Sequence, residues 1–289
     1  MGRAPGSLIT PKGHHLKAVV FTSGGLVSWE AGRRTLAKFG ADNTTFLFTD
    51  TQIESPDLYT FLRAAQRQTN ARFVWLKEGR TPFQVFMDEG MLGNSQADPC
   101  SRILKRELAE KWLRENCDPV DTTLVFGMGW NEVHRFDDGS GRGVRPRYGR
   151  LGWPHVDAPM LRRPFWTRQE LMDEALAAGL PLSSAYVQGF AHDNCGGGCV
   201  KAGKGHWAHL LRMRHLVYAE WEAAEEAFND GRPDKKRQTI LRDEHKDAPA
   251  TPLSLRDFRL RIEAGRASQA DLFDMTNNCG GCFYTAEAA

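Results

Sequence analysis

The chain predicts an α/β fold, a mainly parallel sheet flanked by helices, followed by a helical C-terminal extension. Three observations carry this. Residues 17–50 read as strand, glycine-rich turn, helix and strand, which is one βαβ unit. Further short apolar runs at 72–76 and 122–127 alternate with segments of helical spacing, the pattern of parallel strands joined by crossover helices. From Gly205 onward the apolar positions keep helical spacing and the chain reads as an auxiliary unit.

The expected organisation is a polar tail over 1–16, an α/β domain over 17–204 and an extension over 205–289 that ends in a CxxC pair. A chain of 289 residues, 41% hydrophobic and 26% charged, has ordinary globular composition. Its net charge of +2 predicts no nucleic-acid partner by itself. Local clusters at Arg102, Lys105 and Arg106 and between Arg142 and Arg150 keep a nucleic-acid acceptor in play beside the plain reading of a solvated basic surface. No run of 18 apolar residues exists and residues 1–15 are polar with Pro and Gly, so the chain reads as cytoplasmic, with no membrane partner and with oligomerisation open.

In order along the chain, Val19, Val20 and Phe21 centre a strand buried on both faces, and it runs into Ser23-Gly24-Gly25. Trp29, Leu36 and Phe39 recur at helical spacing and Gly40 closes that helix. The turn between them, 23–28, lies where backbone N–H groups and a helix N-terminus meet an anion such as phosphate. A second strand over 44–49 ends in Asp50. Ser55 as N-cap and Pro56 at the first position then open a helix over 56–69. A third strand follows over 72–76. A helix over 101–114, with Ile103, Leu104, Leu108 and Trp112 inward, places Cys100 at its N-terminus, where the helix dipole favours a thiolate. Arg102, Lys105 and Arg106 in its first turns are candidates to hold phosphate or sulfate. A fourth strand over 122–127 leads to Gly129, Glu132 and Arg135, and 136–153 reads as a flexible basic loop. Residues 157–160 read as the last core strand, and Thr167 with Glu170 forms a capping box for a helix over 168–178. Trp207 and Trp221 in the extension fit core positions, 229–252 reads as a charged linker, and 253–264 as a last short helix.

Six cysteines in a reducing compartment are ligands or redox thiols rather than structural disulfides. Cys195 and Cys199 bracket three glycines, Cys279 and Cys282 bracket two, and glycine lets a chain wrap closely around a metal or cluster. Zinc and iron–sulfur both use such thiolates. The echo between 193–197 and 277–281 brings the two pairs to one site if the segments meet in space.

Several of these stretches together resemble one family. Ser23-Gly24-Gly25-Leu26-Val27-Ser28 is similar to the SGGxxS loop of the PP-loop ATP pyrophosphatases and of the PAPS reductases, a superfamily of adenine-nucleotide α-hydrolase-like (HUP-type, Rossmann-like) proteins. Cys100-Ser101-Arg102-Ile103-Leu104-Lys105 resembles the C[ST]xxLK motif of PAPS-reductase-like proteins. Asn194-Cys195 through Cys199 resembles the cysteine segment of cluster-bearing members, including the DNA-phosphorothioation type. The resemblance covers residues 17–204. It implies nucleotide binding by Ser23, Gly24, Gly25, Ser28, Asp50, Thr51 and Gly127, with Arg102 and Lys105 on phosphate, and catalytic roles for Ser23, Asp50, Glu132 and Arg135. It implies ATP with Mg2+ as cofactor and an iron–sulfur cluster, with zinc as the alternative, on Cys100, Cys195, Cys199 and Cys282 or Cys279. The activity implied is an ATP-dependent sulfurtransferase that adenylates an acceptor, a nucleoside in RNA or DNA or a small metabolite, and draws on a sulfur donor that can be a protein. Two alternatives stand beside it: a PAPS or adenylyl-sulfate reductase, for which the C-terminal ECGLH motif is missing, and a nucleotide-binding protein with structural zinc. Val27 departs from the pattern, because many ATP-cleaving members carry Asp there.

Overall fold

A computed structural model describes residues 16–273. Five strands form one parallel sheet in the order β3-β2-β1-β4-β5: β1 Lys17–Phe21, β2 Thr44–Asp50, β3 Arg72–Lys77, β4 Thr122–Phe126 and β5 Val156–Asp157. The register pairs Val20 with Phe46 on one side and with Val125 on the other, so β1 is central. Alternation along β1 sends Val19 and Phe21 to one face and Ala18 and Val20 to the other. The first pair packs with Leu113 and Tyr148, the second with Phe39 and Phe46, so both faces of the sheet are covered. This is the expected Rossmann-like α/β fold. Because the chain leaves β1 towards β2 and later returns to the other side of β1 with β4, the sheet has its topological switch point at the carboxyl ends of β1 and β4.

The helices follow the sequence with instructive departures. Helix α1 (Leu26–Phe39) starts three residues before the expected Trp29. Helix α2 (Pro56–Arg67) opens as expected, with the Ser55 hydroxyl accepting from Leu58 N. Helix α3 (Pro82–Glu89) carries a capping box of Thr81 and Gln84 that the sequence reading did not single out. The helix expected over 101–114 is one turn of α4 (Pro99–Ser101), a π-helical segment (Arg102–Glu107) and α5 (Leu108–Asn116). A π turn holds more residues than an α turn and so rotates everything beyond it. Ile103 and Leu104 stay inward as expected, but Lys105 and Arg106 are buried with them. Beyond the π segment the buried face is Ala109, Glu110 and Leu113 rather than Leu108 and Trp112.

The basic loop expected over 136–153 contains two short helices, the end of α6 (Val133–Phe136) and α7 (Val144–Arg150). Val144, Tyr148 and Trp153 anchor it in the core, and Arg145 and Arg147 are tied to Asp137 and Glu110. The last core strand is shorter than expected and sits earlier, at Val156–Asp157, followed by a single 3-10 turn at Pro159–Leu161. The capping box of α8 (Arg168–Ala177) forms as read from Thr167 and Glu170.

After α9 (Ser184–Val187), the extension packs α10 (Lys204–Met213) and α11 (His215–Asn229) around Trp207 and Trp221, both buried. The charged linker expected over 229–252 instead contributes a two-stranded antiparallel sheet, β6 (Leu241–Asp243) with β7 (Thr251–Leu253), ahead of α12 (Leu255–Glu263) and α13 (Gln269–Phe273). Its order has a physical source outside the linker. The buried carboxylate of Glu225 on α11 accepts from Ile240 N at 2.7 Å and Leu255 N at 2.6 Å and so staples both ends of the segment to the helix.

Candidate functional site

The loop between β1 and α1 sits at the switch point. Ser28 Oγ accepts from Ser23 N at 3.2 Å and donates to Gly25 O at 2.8 Å, folding 23–28 into a closed turn. Gly25 gives α1 no side-chain cap, so apart from Leu26 N the N–H groups of the first turn stand at the positive end of the helix dipole without a capping side chain, the arrangement that receives phosphate. Gly127, at the end of β4, packs directly against this turn: a Cβ there would lie 2.4 Å from Ser28 Cα, so only glycine lets the two segments meet. Tyr186, from α9, accepts from Leu26 N at 3.3 Å. Burial holds its hydroxyl well above the usual tyrosine range, so it stays a protonated donor beside the loop. Sequence reasoning missed Tyr186, which lies 160 residues from Leu26 and belongs to no motif.

Asp50 ends β2 beside the loop. Its Oδ1 accepts from Tyr59 at 2.6 Å and from Gln52 N at 2.8 Å, which leaves Oδ2 without a partner among the described residues. The Tyr59 hydroxyl is pushed far up by burial and by that carboxylate. Val27 packs against the α1–α2–α8 core cluster. Glu132 accepts from Gly129 N at 2.7 Å and pairs with Arg135, so these two residues act as one ionic unit after β4. Arg102 is turned to the surface, where Glu89 and Glu107 hold it at 2.8 and 2.9 Å, apart from Lys105.

Beyond the tip of β2 the second feature is a small cavity lined by Cys100, Cys195 and Cys199 together with Thr51, Asp98, Lys105 and Lys201. Three of the cysteines singled out in the sequence therefore come to one place, from the start of α4 and from both ends of the 195–199 loop. Cys279 and Cys282 lie outside the described residues, and so does the echo segment at 277–281. Among the described residues no group of three His, Cys, Asp or Glu side chains is close enough to hold a metal ion. The donor set nevertheless suits a thiophilic metal or cluster: sulfur ligands, an apolar lining, and three cations (Lys105, Arg106, Lys201) against two carboxylates (Glu54, Asp98) around ligands that bind as anions.

The cysteine loop is held by side chains from distant elements. Cys195 adopts a left-handed backbone with φ 54°. Its N–H donates to Glu54 Oε2 at 2.5 Å, while Glu54 Oε1 accepts from Thr51 at 3.0 Å and Lys105 at 3.4 Å. Arg214 donates to Gly196 O at 2.9 Å and to Asp193 at 2.7 Å, and His206 Nε2 meets Gly197 O at 2.6 Å. Asp193 in turn accepts from Ser55 and Ser183. Gly198 admits Trp221, whose Nε1 would be 2.0 Å from a Cβ at that position. Asp193 and Arg214 carry this arrangement, and neither had been assigned a role from sequence.

Thr51 and Glu54, just past Asp50, hold the cysteine side, and α9 links the two features, since Tyr186 meets Leu26 N and Ser183 meets Asp193.

No family model matches the chain, and no curated protein matches it. Among solved structures it is similar to phosphoadenylyl-sulfate (PAPS) reductase from Candida auris in its phosphate complex, at 16% identity and a TM-score of 0.38 over 62% of this chain and 79% of that one. It is also similar to the U34-tRNA thiolase NcsA from Methanococcus maripaludis with its [4Fe-4S] cluster, at 13% identity and a TM-score of 0.41 over 92% of this chain and 79% of that one.

Proposed function

We propose that this chain is a PP-loop-type, ATP-dependent sulfurtransferase of the PAPS-reductase-like superfamily. The observation that carries the reading is the nearness of two features: a glycine-rich loop at the switch point with no side-chain N-cap from Gly25, and a cavity lined by three cysteines, bridged by α9, where Tyr186 meets Leu26 N and Ser183 meets Asp193 of the cysteine loop. In this reading the N–H groups of 23–28 that the loop and Tyr186 do not engage, together with the Tyr186 hydroxyl, bind the phosphates of ATP, and Asp50 holds ribose or Mg2+ through Oδ2. An acceptor oxygen attacks the α-phosphorus, the α–β bond breaks, and pyrophosphate leaves. The loop donors stabilise the charge that develops on it. The acceptor then carries AMP, a far better leaving group than oxide, which sulfur displaces. Glu132 and Arg135 are placed to position acceptor or nucleotide after β4. With Val27 in the loop, Mg2+ has no carboxylate there, and Asp50 is the one that serves.

Cys100, Cys195 and Cys199, with Cys282 or Cys279, would hold a four-iron cluster or, as the alternative, zinc. Such a group would supply a binding site for sulfur when present. The thiols' own part is to bind as anions in a cationic, apolar cavity.

The test is metal analysis of anaerobically purified protein, with the visible spectrum and ATP-dependent pyrophosphate release. About four irons and four sulfides per chain, with broad visible absorbance, are expected. Zinc without sulfide and no release of pyrophosphate would replace this reading with a nucleotide-binding protein stabilised by zinc. Sulfite release from an adenylyl sulfate in the presence of a dithiol reductant would replace it with a reductase.

A further inference from the structure

The last turns of α1 and the segment after β5 form a cavity of about 150 Å³ that the nucleotide reading does not use. Arg34, Lys38, Arg162 and Arg163 line it against a single carboxylate, Asp157. Lys38 lies twelve residues beyond Leu26 on the same helix, so it stands about 18 Å from the glycine-rich loop. The two places are separate.

Two of the four cations are engaged in building the cavity. Arg34 donates to Pro159 O and Arg162 O at 3.0 Å and to Pro164 O at 2.6 Å, while its Nε meets Glu30 at 3.2 Å, so it ties α1 to the chain after β5. Arg162 grips Asp157 through both nitrogens, at 2.6 and 2.9 Å. Burial raises the Asp157 carboxyl, but Arg162 and Lys38 outweigh it and hold the group below the usual carboxylate range. It is an anion that its own arginine neutralises. Glu30 and Asp42, the other carboxylates of 30–43 and 156–165, do not line the cavity.

The other two cations are not neutralised. Lys38 lies over the Phe39 ring at 5.0 Å and Arg163 over the Phe165 ring at 5.2 Å, and among the described residues neither has a carboxylate within 4 Å. They come from different walls, one on α1 and one after β5. The carbonyls at the end of a helix ordinarily oppose an anion. Here that opposition is muted, because Leu36 O accepts from Gly40 N, Phe39 O from Asn43 and Gly40 O from Thr44. A carboxylate presents its oxygens on one edge, whereas a tetrahedral phosphate has oxygens on every side and can answer cations from two walls. The volume is below the about 300–1,000 Å³ of sites that take a drug-sized molecule, so the phosphate group itself is what fits.

We propose that this cavity is a second anion site, for inorganic phosphate, diphosphate or the phosphate end of a small ester, held by Lys38 and Arg163 between walls that Arg34 has already joined. It does not depend on what 23–28 binds. The anion would cross-link α1 to 159–165 and so stiffen the helix whose other end carries the glycine-rich loop.

The experiment is calorimetric titration of orthophosphate into the full chain at low salt, repeated with Lys38→Gln, Arg163→Gln and the double variant. Both side chains are exposed, so all variants should keep the wild-type urea midpoint. Expected are saturable binding by the wild type, a weakening of about tenfold in each single variant, loss of one binding event in the double variant, and affinity that falls as salt rises. Diphosphate should bind more tightly than orthophosphate, and acetate should not bind. Orthophosphate affinity and stoichiometry unchanged in the double variant would put the anion elsewhere, the glycine-rich loop included, and overturn the site. Acetate bound as well as phosphate would overturn the choice of ligand. So would a single-stranded RNA of about twelve nucleotides that needs Lys38 and Arg163 where orthophosphate fails to saturate. ATP affinity measured on the same proteins should survive the double variant, and its loss together with phosphate would make the cavity part of the nucleotide site. Wild-type protein that binds phosphate through these two residues but binds no ATP would remove the nucleotide reading and leave the second site standing.

Discussion

The glycine-rich loop and the cysteine loop are both tight turns beyond the carboxyl ends of the inner strands β1 and β2, but they are held in opposite ways. The first is closed by its own backbone and two serines within six residues, with Gly127 pressed against it. The second takes almost all of its hydrogen-bond partners from elsewhere: Glu54 from the β2 tip, Arg214 and His206 from the extension, and Asp193 held by Ser55 and Ser183. A phosphate loop is made of donors that the local backbone supplies. A thiol site must fix the chain against its own preference, since Cys195 sits at positive φ, and so it draws on the whole fold.

The largest effect that would break this comparison is at Glu54, whose carboxylate is buried and engaged by Cys195 N, Thr51 and Lys105. Removing one member of a buried ionic group costs about 3–5 kcal/mol. Glu54→Ala should lose that much in urea unfolding and should lose bound metal, with Glu54→Gln intermediate. If the cysteine loop were as self-sufficient as the phosphate loop, metal content would survive the alanine.

The next effect tests the staple that orders the extension from which Arg214 and His206 reach the cysteine loop. Burial pushes the Glu225 carboxyl up to about 7 from an ordinary 4.5, against the pull of the two N–H groups that it accepts from. A raised carboxyl favours the protonated fold, so its contribution is full below about pH 4.5, is lost as pH rises to about 7, and has no slope above that. The span corresponds to about 3 kcal/mol at most. Urea midpoints measured across that window should fall for wild type relative to Glu225→Gln, and the two curves should run parallel above pH 7. A constant difference throughout would separate the staple from the titration.

At the phosphate loop the expected loss is smaller and local. Gly127→Ala forces a methyl group into Ser28 backbone, an overpacking that costs about 1–3 kcal/mol. ATP affinity should fall with it while the metal content stays. Loss of both would mean that the two loops are one cooperative unit.

The contrast also explains what the sequence disclosed. The central strands, the Ser23–Gly25 turn, the Ser55 and Thr167 caps and the buried Trp207 and Trp221 are local or periodic signals, and they appear in the fold as read. Convergence of Cys100 with Cys195 and Cys199 was an expectation of the family resemblance, and the shared cavity bears out that the three thiols come together. What was not legible depends on partners far away in the chain. The π turn at 102–107 shifts a helix face by one residue without any mark such as Gly or Pro, and it buries Lys105 and Arg106 where a regular helix would not. The segment 229–252 is rich in charge and reads as linker, yet Glu225 gives its backbone buried partners. Tyr186, Asp193 and Arg214 matter through contacts that only the folded chain creates.

Tyr186 gives the finest test, because α9 lies between the two loops. Its hydroxyl accepts from Leu26 N on the nucleotide side, while its neighbours Ser183 and Ser184 hold Asp193 and Asp57 on the other. Tyr186→Phe removes one hydrogen bond and leaves the ring, so the fold should lose only about 1 kcal/mol. Burial keeps its proton in place beside the loop, and a hydrogen bond to a charged group is worth about 1.5–3 kcal/mol. ATP affinity measured by calorimetry should therefore drop by about tenfold or more, and metal content should not change. An affinity loss no larger than the stability loss would make Tyr186 a packing residue of α1, and the phosphate loop would then be wholly self-made.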